Sequence, residues 1–252
     1  MNLALFLVLV FLYLLVIDIR LAWIKLFAPE SRKAAEIHNQ GVLGSRWILF
    51  WGEKLIGLKI RRAAPDPPLP EQFVLIANHQ SLLDILVILA FFPHRPVRFV
   101  AKQELGRGVP GASRVLRYGR HALINRRHNL RQTAVRLKRF AAQCSRTGWC
   151  PAIFPEGTRS RDGALKTFHQ GAYRFVQEGV RLPTVVACID GGSNYSHFKD
   201  FLRKNDYSYQ MKVLSVLPAP QSTKQIPRDL QAAKDQIAGQ LRIWNGDSPA
   251  QR

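Results

Sequence analysis

Carboxylates are scarce in this chain: 17 Asp and Glu stand against 37 Lys and Arg, a formal charge of +20 over 252 residues. Such a field attracts anionic lipid, phosphorylated substrates, acidic carrier proteins or nucleic acid without choosing among them. Cysteine is also sparse. Cys144, Cys150 and Cys188 have no metal-ligand or redox spacing, and an odd count argues against a disulfide framework, so they read as reduced core thiols. No Gly-x-Ser-x-Gly elbow occurs, which leaves a serine nucleophile unsupported, and Gly191-Gly192-Ser193 reads as a turn after a strand. No nucleic-acid fold pattern, internal repeat or long low-complexity segment is present. No cation precedes the first apolar run, which argues against a cleaved signal peptide.

That run, Leu3 to Ile17, is the most apolar part of the chain. Its fifteen residues make a helix of about 23 Å against a bilayer core of about 30 Å, marginal for spanning. Continuation through Leu21, Trp23, Ile24 and Phe27 makes it long enough to span or to lie in the interface, with Asp18, Arg20 and Lys25 near the surface. A second apolar-aromatic stretch, Arg46 to Ile56, pairs with it as an antiparallel interfacial hairpin or folds as an ordinary core helix. The expectation is an uncleaved membrane anchor over residues 1–60, a Pro-rich linker from Arg61 to Pro70 and a catalytic domain over 71–245. The cations after the anchor, Arg20, Lys25, Arg32 and Lys33, predict a cytoplasmic domain by the positive-inside rule. The Asn194-Tyr195-Ser196 acceptor sequence is discounted on that ground.

The remainder alternates strand and helix. Strands are predicted over Phe73 to Ala77, Val97 to Ala101, Ala122 to Ile124, Pro151 to Phe154 and Thr184 to Ile189, with Lys212 to Leu217 as an edge strand. Helices are predicted over Leu82 to Phe92, Asn129 to Cys144, His169 to Glu178 closed by Gly179, and Pro227 to Trp244. The fold class is therefore α/β: a mixed, largely parallel sheet flanked by helices, preceded by an N-terminal membrane-associated helical segment.

Chemistry gathers at the ends of those strands, where open α/β sheets build clefts. Asn78-His79-Gln80-Ser81-Leu82-Leu83-Asp84 leaves the first strand. An imidazole, with an unperturbed pKa near 6.5, accepts and returns protons near neutrality. A carboxylate against its other nitrogen fixes the tautomer and steadies the imidazolium, and Asp84 lies a little over one helical turn from His79, within reach. A helix-capping histidine beside a surface aspartate is the bland alternative. The stretch Ala152 to Ser160 also breaks from strand into turn. There Arg159 offers a fork of donors for phosphate, Gly157 permits close backbone approach, and Glu156 can accept from a polyol or hold Arg159. Lys102 and Arg126 end two further strand-like segments.

These segments resemble, in order, the four blocks of the 1-acylglycerol-3-phosphate acyltransferase family of glycerolipid acyltransferases. Asn78, His79 and Asp84 match the first block, Leu123-Ile124-Asn125-Arg126 the second, and Phe154-Pro155-Glu156-Gly157-Thr158-Arg159 the third at every position. Leu182 to Cys188 matches the fourth except for a missing second proline. His169, ahead of Gln170 and Gly171, stands where relatives commonly carry a lysine. Both departures bear on substrate identity more than on reaction type.

The resemblance implies direct acyl transfer from acyl-CoA or acyl carrier protein to the free hydroxyl of 1-acylglycerol-3-phosphate, giving phosphatidic acid. His79 and Asp84 would be catalytic, and Lys102, Arg126, Glu156, Gly157, Thr158 and Arg159 would bind substrate. A thioester is already activated, so neither metal nor cofactor is expected beyond that donor. Expected partners are membrane lipids, the anionic membrane surface and acyl carrier protein, with no nucleic acid. Alternatives are acylation of another lysolipid, such as lyso-ornithine lipid or one bearing a head group, and a hydrolase acting on lipid esters or thioesters.

Overall fold

In a computed structural model of the chain, the described residues are 2–62, 68–125, 130–195 and 207–246. Two long helices come first, α1 (Leu3–Phe27) and α2 (Glu30–Ile56). They turn back on each other through Ala28 and Pro29, and the Asn2 N–H donating to the Leu55 carbonyl at 2.9 Å closes the open end of the hairpin. Small residues let the helices approach: a Cβ on Gly44 would stand 2.9 Å from the Tyr13 hydroxyl. Tyr13 in turn stacks on Trp47 with ring centroids 4.4 Å apart. Helix α1 is long and apolar enough to cross a membrane, and only 11% of its most apolar window is buried. Phe11, Val16, Ile19, Trp23 and Phe27 are among its exposed apolar side chains.

Seven strands follow: β1 (Leu58–Arg62), β2 (Val74–Ala77), β3 (Val97–Lys102), β4 (Ala122–Ile124), β5 (Cys150–Ile153), β6 (Thr184–Asp190) and β7 (Tyr207–Leu217). They form one sheet in the order β1-β7-β6-β2-β5-β3-β4, parallel throughout except where β6 meets β7. Strands β2 and β5 are buried at every position, as sheets covered on both faces require. The covering helices are α3 (Leu83–Phe91), α4 (Ala112–Tyr118), α5 (Leu130–Thr147), α6 (Gln170–Val180) and α7 (Ile226–Trp244). Phe6, Leu49 and Ile56 of the hairpin share one core with Phe73, Leu75 and Ala152 of the sheet, so hairpin and sheet are packed together.

Three sequence expectations need correction. The Lys212 to Leu217 segment is only the second half of β7, which begins at Tyr207, and β1 pairs with the first half, Tyr207–Met211, while among the described residues Lys212–Leu217 pairs with β6 alone. β1 itself went unseen because Leu58-Lys59-Ile60-Arg61-Arg62 continues α2 and looks like the cationic end of an interfacial helix; it also lies across the boundary expected between anchor and domain. Gly179 does not close α6, which runs to Val180 and ends at Arg181 with φ +47°. Gly179 serves packing instead, since a Cβ there would stand 2.6 Å from the Ala141 Cβ of α5. The cysteines are free and buried, and burial pushes the Cys144 thiol up to about 12.

Candidate active site

Parallel pairing brings the ends of β2, β5, β3 and β4 to one side of the sheet, with Ile76 opposite Ile153, Phe99 opposite Ala152, and Lys102 opposite Ile124. His79 leaves β2 at this rim. Asn78 fixes the exit: its amide donates to the Ile189 carbonyl at 2.7 Å and accepts from the Ile189 N–H at 2.8 Å. This side chain replaces one backbone rung of the sheet, a task that needs donor and acceptor together.

Asp84, wholly buried in the first turn of α3, lies 2.6 Å from His79 Nδ1 through its Oδ2. The same oxygen accepts from the Gln80 N–H at 2.7 Å and the Ser81 N–H at 3.0 Å. Oδ1 accepts from the Tyr209 hydroxyl of β7. With Nδ1 held by the carboxylate, Nε2 is the ring nitrogen left for substrate, and the ring lies stacked on Phe154 with centroids 4.1 Å apart. Gly192 permits this packing, since a Cβ there would lie 3.0 Å from Asp84 Oδ1 and 2.9 Å from Gln80 Cβ.

The turn after β5 grips the same histidine from the other side. Glu156 Oε1 accepts the His79 backbone N–H at 2.7 Å, and the Ser160 N–H donates to the His79 carbonyl at 2.7 Å. Glu156 Oε2 accepts the Lys166 N–H at 3.0 Å, and Lys166 Nζ donates to the Arg159 carbonyl at 2.8 Å. The sequence assigned Glu156 to a polyol or to Arg159; its carboxylate is instead 3% exposed and holds two backbone amides. Burial pushes its carboxyl above the ordinary value, against the pull of those amides. Gly157 has φ +71°, a left-handed conformation that favours glycine at this turn.

A cavity of about 220 Å³ opens at this rim, lined by His79, Lys102, Phe154, Gly157, Thr158, Arg159 and Arg161 among others. Of the sequence-predicted site residues it gathers His79, Lys102, Gly157, Thr158 and Arg159, with Asp84 directly behind His79. Arg126 lies outside the described residues. No carboxylate is among the lining residues described, and neither the Lys102 ammonium nor the Arg159 guanidinium has a carboxylate partner there. The hollow is therefore suited to an anion. Leu82, Ile85, Phe99 and Leu105 also line a second, almost wholly apolar cavity of about 170 Å³ that continues between the sheet and the hairpin, past Tyr13, Ile17 and Ile48. Sequence reasoning missed Tyr209, Gly192, Phe154 as a platform and this apolar extension. Tyr209 is 125 positions from Asp84, and no local pattern joins them.

Comparison with known proteins agrees with this geometry. Residues 61–189 match the family model described as Acyltransferase. The chain is 26% identical over 214 residues to the mouse 1-acyl-sn-glycerol-3-phosphate acyltransferase alpha, covering 81% of this chain and 69% of that protein. It is 30% identical over 181 residues to a probable 1-acyl-sn-glycerol-3-phosphate acyltransferase of Mycoplasma genitalium, covering 68% and 63%. The crystal structure of the 1-acyl-sn-glycerophosphate acyltransferase of Thermotoga maritima shares the fold, with TM-score 0.60, 20% identity, and 92% and 93% of the two chains covered. The chain belongs to the acyltransferase family and is an O-acyltransferase related to the 1-acylglycerol-3-phosphate acyltransferases.

Proposed function

We propose that the protein transfers a fatty acyl group from an acyl thioester to the free hydroxyl of 1-acylglycerol-3-phosphate, forming phosphatidic acid. The observation that carries this reading is the His79–Asp84 contact of 2.6 Å at the mouth of a cavity that is cationic on one side and apolar on the other. His79 Nε2 takes the hydroxyl proton as the oxygen attacks the thioester carbonyl. Asp84 steadies the imidazolium, the tetrahedral oxyanion collapses, and the departing thiolate recovers the proton as a thiol. The acceptor phosphate lies against Arg159 and Lys102, where a fork and a point charge complement a dianion. Gly157 and Thr158 shape the same wall, and Glu156 holds the histidine main chain. The acyl chain occupies the apolar cavity beneath the hairpin. Helix α1 and the exposed tryptophan and phenylalanine side chains keep that cavity beside the bilayer, with the domain on the cytoplasmic face, so both lipid substrates enter without crossing bulk water.

Membranes containing the protein are supplied with a radiolabelled acyl thioester and a panel of lysolipids. Label moves into phosphatidic acid when 1-acylglycerol-3-phosphate is present, and His79→Ala abolishes the transfer while the melting temperature is retained. Thioester consumption that does not depend on any lysolipid would point to hydrolysis. Label entering only a lysolipid without a phosphomonoester would move the assignment to another acceptor.

A further inference from the structure

A further cavity, of about 660 Å³, adjoins the cleft across the turn that follows β5. Its volume falls in the range of about 300 to 1,000 Å³ usual for small-molecule sites. Phe154, Gly157 and Thr158 line both spaces, so one turn of chain is all that separates them. Most of the wall is apolar, built by Ile124, Leu130, Leu137, Phe154, Ala172 and Phe175. Leu130 is 80% exposed, so part of that wall meets water. Two of the polar lining groups are already engaged: the Thr133 hydroxyl donates to the Asn125 carbonyl at 2.7 Å, and the Glu156 carboxylate holds backbone amides. Thr158 and His169 add polar side chains at the edge next to the turn, where the His169 N–H donates to the Pro155 carbonyl at 2.9 Å. This cavity and the one beneath the hairpin belong to opposite faces of the sheet. The hairpin cavity touches Leu89 and Phe99 of one core, and this one touches Ile124 and Leu137 of the other.

The acceptor branches at the carbon that reacts. In 1-acylglycerol-3-phosphate the C2 hydroxyl reaches His79 Nε2, the phosphate on C3 lies against Arg159 and Lys102, and the incoming acyl chain fills the cavity beneath the hairpin. The branch through C1 carries a second hydrocarbon chain, which needs an apolar place within reach of the same turn. We propose that the hollow between α5 and α6 takes this chain, the one the acceptor already bears. Its ester lies by Thr158 and His169 and its methylenes lie among Leu137, Ala172 and Phe175. Burial there spares the chain the contact with water that it would meet on rising from the bilayer to the base. The inference rests on the acyl-transfer reading and adds the seat of the acceptor's own chain, so that donor and acceptor chain lengths are sensed on opposite faces of the sheet.

Two experiments on the full-length protein test it. Gly171 lines the hollow in the first turn of α6, and a Cβ there would meet no atom within 4 Å. Gly171→Leu therefore adds bulk to the hollow while favouring the helix. The variant and wild type are compared on acceptors bearing an oleoyl or a hexanoyl chain and on donors of several chain lengths. KM for the oleoyl acceptor rises about tenfold, equivalent to about two methylene groups no longer buried, while the hexanoyl acceptor and the donor chain-length preference are unchanged. An equal rise for both acceptors, no rise for either, or a shift in donor preference overturns the inference. The second experiment needs no turnover. In His79→Ala, an acceptor with a photoreactive diazirine at the end of its chain labels Leu130, Leu137 or Phe175, and a non-hydrolysable acyl thioester analogue with the same tag labels residues beneath the hairpin such as Ile48. Acceptor label confined to the hairpin cavity or to bilayer lipid overturns the subsite, even where phosphatidic acid forms as proposed. Acceptor label on α5 and α6 with no transfer from any thioester to that acceptor overturns the reaction and leaves the subsite standing.

Discussion

Replacing Asp84 with Asn isolates the charge of the dyad from its geometry. Asp84 Oδ2 faces three N–H donors, from His79, Gln80 and Ser81, and Oδ1 faces the Tyr209 hydroxyl. An asparagine therefore settles with its carbonyl oxygen at the Oδ2 position, because an NH2 there would meet three donors, and its NH2 turns to the Tyr209 oxygen. The His79 tautomer is preserved and only the negative charge is lost. With charge centres about 4 Å apart and an effective dielectric of about 20, the imidazolium loses about 4 kcal/mol of attraction. The neutral hydrogen bond retains about 1 kcal/mol. The remaining deficit of about 3 kcal/mol predicts a fall in kcat of a little over a hundredfold. The assay follows thiol release from the acyl thioester at saturating lysolipid, with kcat and both KM values fitted separately and the melting temperature recorded. Both KM values stay within about twofold, since uniform binding is untouched. A kcat loss under about threefold would show that the carboxylate charge plays no part in the step. Asp84→Ala is less informative, because it strands buried donors at about 1 to 3 kcal/mol each and unfolds the site.

Two other perturbations test parts of the same scaffold. Glu156→Gln puts an amide NH2 against one of the two backbone N–H groups that the carboxylate accepts; stability falls by about 1 to 3 kcal/mol and kcat falls while the lysolipid KM is held, and an unchanged urea midpoint would contradict this. His38, on α2, has its pKa lowered to about 4, first by burial and then by the nearby Arg98 charge. A depressed folded pKa means that the unfolded chain binds the extra proton, so this stability is complete above pH 6.5 and is lost as pH falls toward 4. The loss between pH 7 and pH 4.5 amounts to about 2 kcal/mol from this group. His121, also held well down by burial, adds a loss of the same sign, so in urea titrations of detergent-solubilised protein His38→Leu removes only its own share, and a variant with the wild-type pH slope would refute the assignment.

What the sequence made legible was local. The strands of the sheet centre were readable because burial on both faces writes them as continuous apolar runs, as in Val74-Leu75-Ile76-Ala77. The dyad was readable because His79 and Asp84 are five residues apart and a strand-to-helix turn brings such residues together. The cationic wall was readable because Lys102 ends β3 and Arg159 follows β5, two strands whose common direction parallel pairing fixes. What depended on distant partners was not. Glu156 was assigned by its side-chain chemistry to a substrate or an arginine, whereas its real partner is a backbone amide 77 positions away. The apolar cavity is built from side chains of α1, α2, α3 and α4, and none of these helices alone announces a hollow. The strand β1 was hidden for the opposite reason: its Lys-Arg content mimics the end of a membrane helix, and only pairing with β7 makes it a strand.

The two motif segments form a single mechanical unit. The His79 main chain has its N–H held by Glu156 and its carbonyl held by Ser160, while its ring is stacked on Phe154. All three contacts come from residues 154–160, the turn that also carries Arg159 to the cavity. A shift of that turn therefore displaces the base and the phosphate-binding cation together, and a displacement of about 1 Å costs rate steeply when reacting atoms must be aligned. From the other side, Asp84 is fixed by two backbone amides and by a tyrosine of β7. The imidazole is thus set by β2, α3, the β5 turn and β7 at once, which gives it one orientation in a cleft whose remaining walls can vary with the lipid. On this geometry, substitutions in the 154–160 turn lower kcat as well as raising the acceptor KM, whereas substitutions deep in the apolar cavity change acyl-chain preference with the base in place.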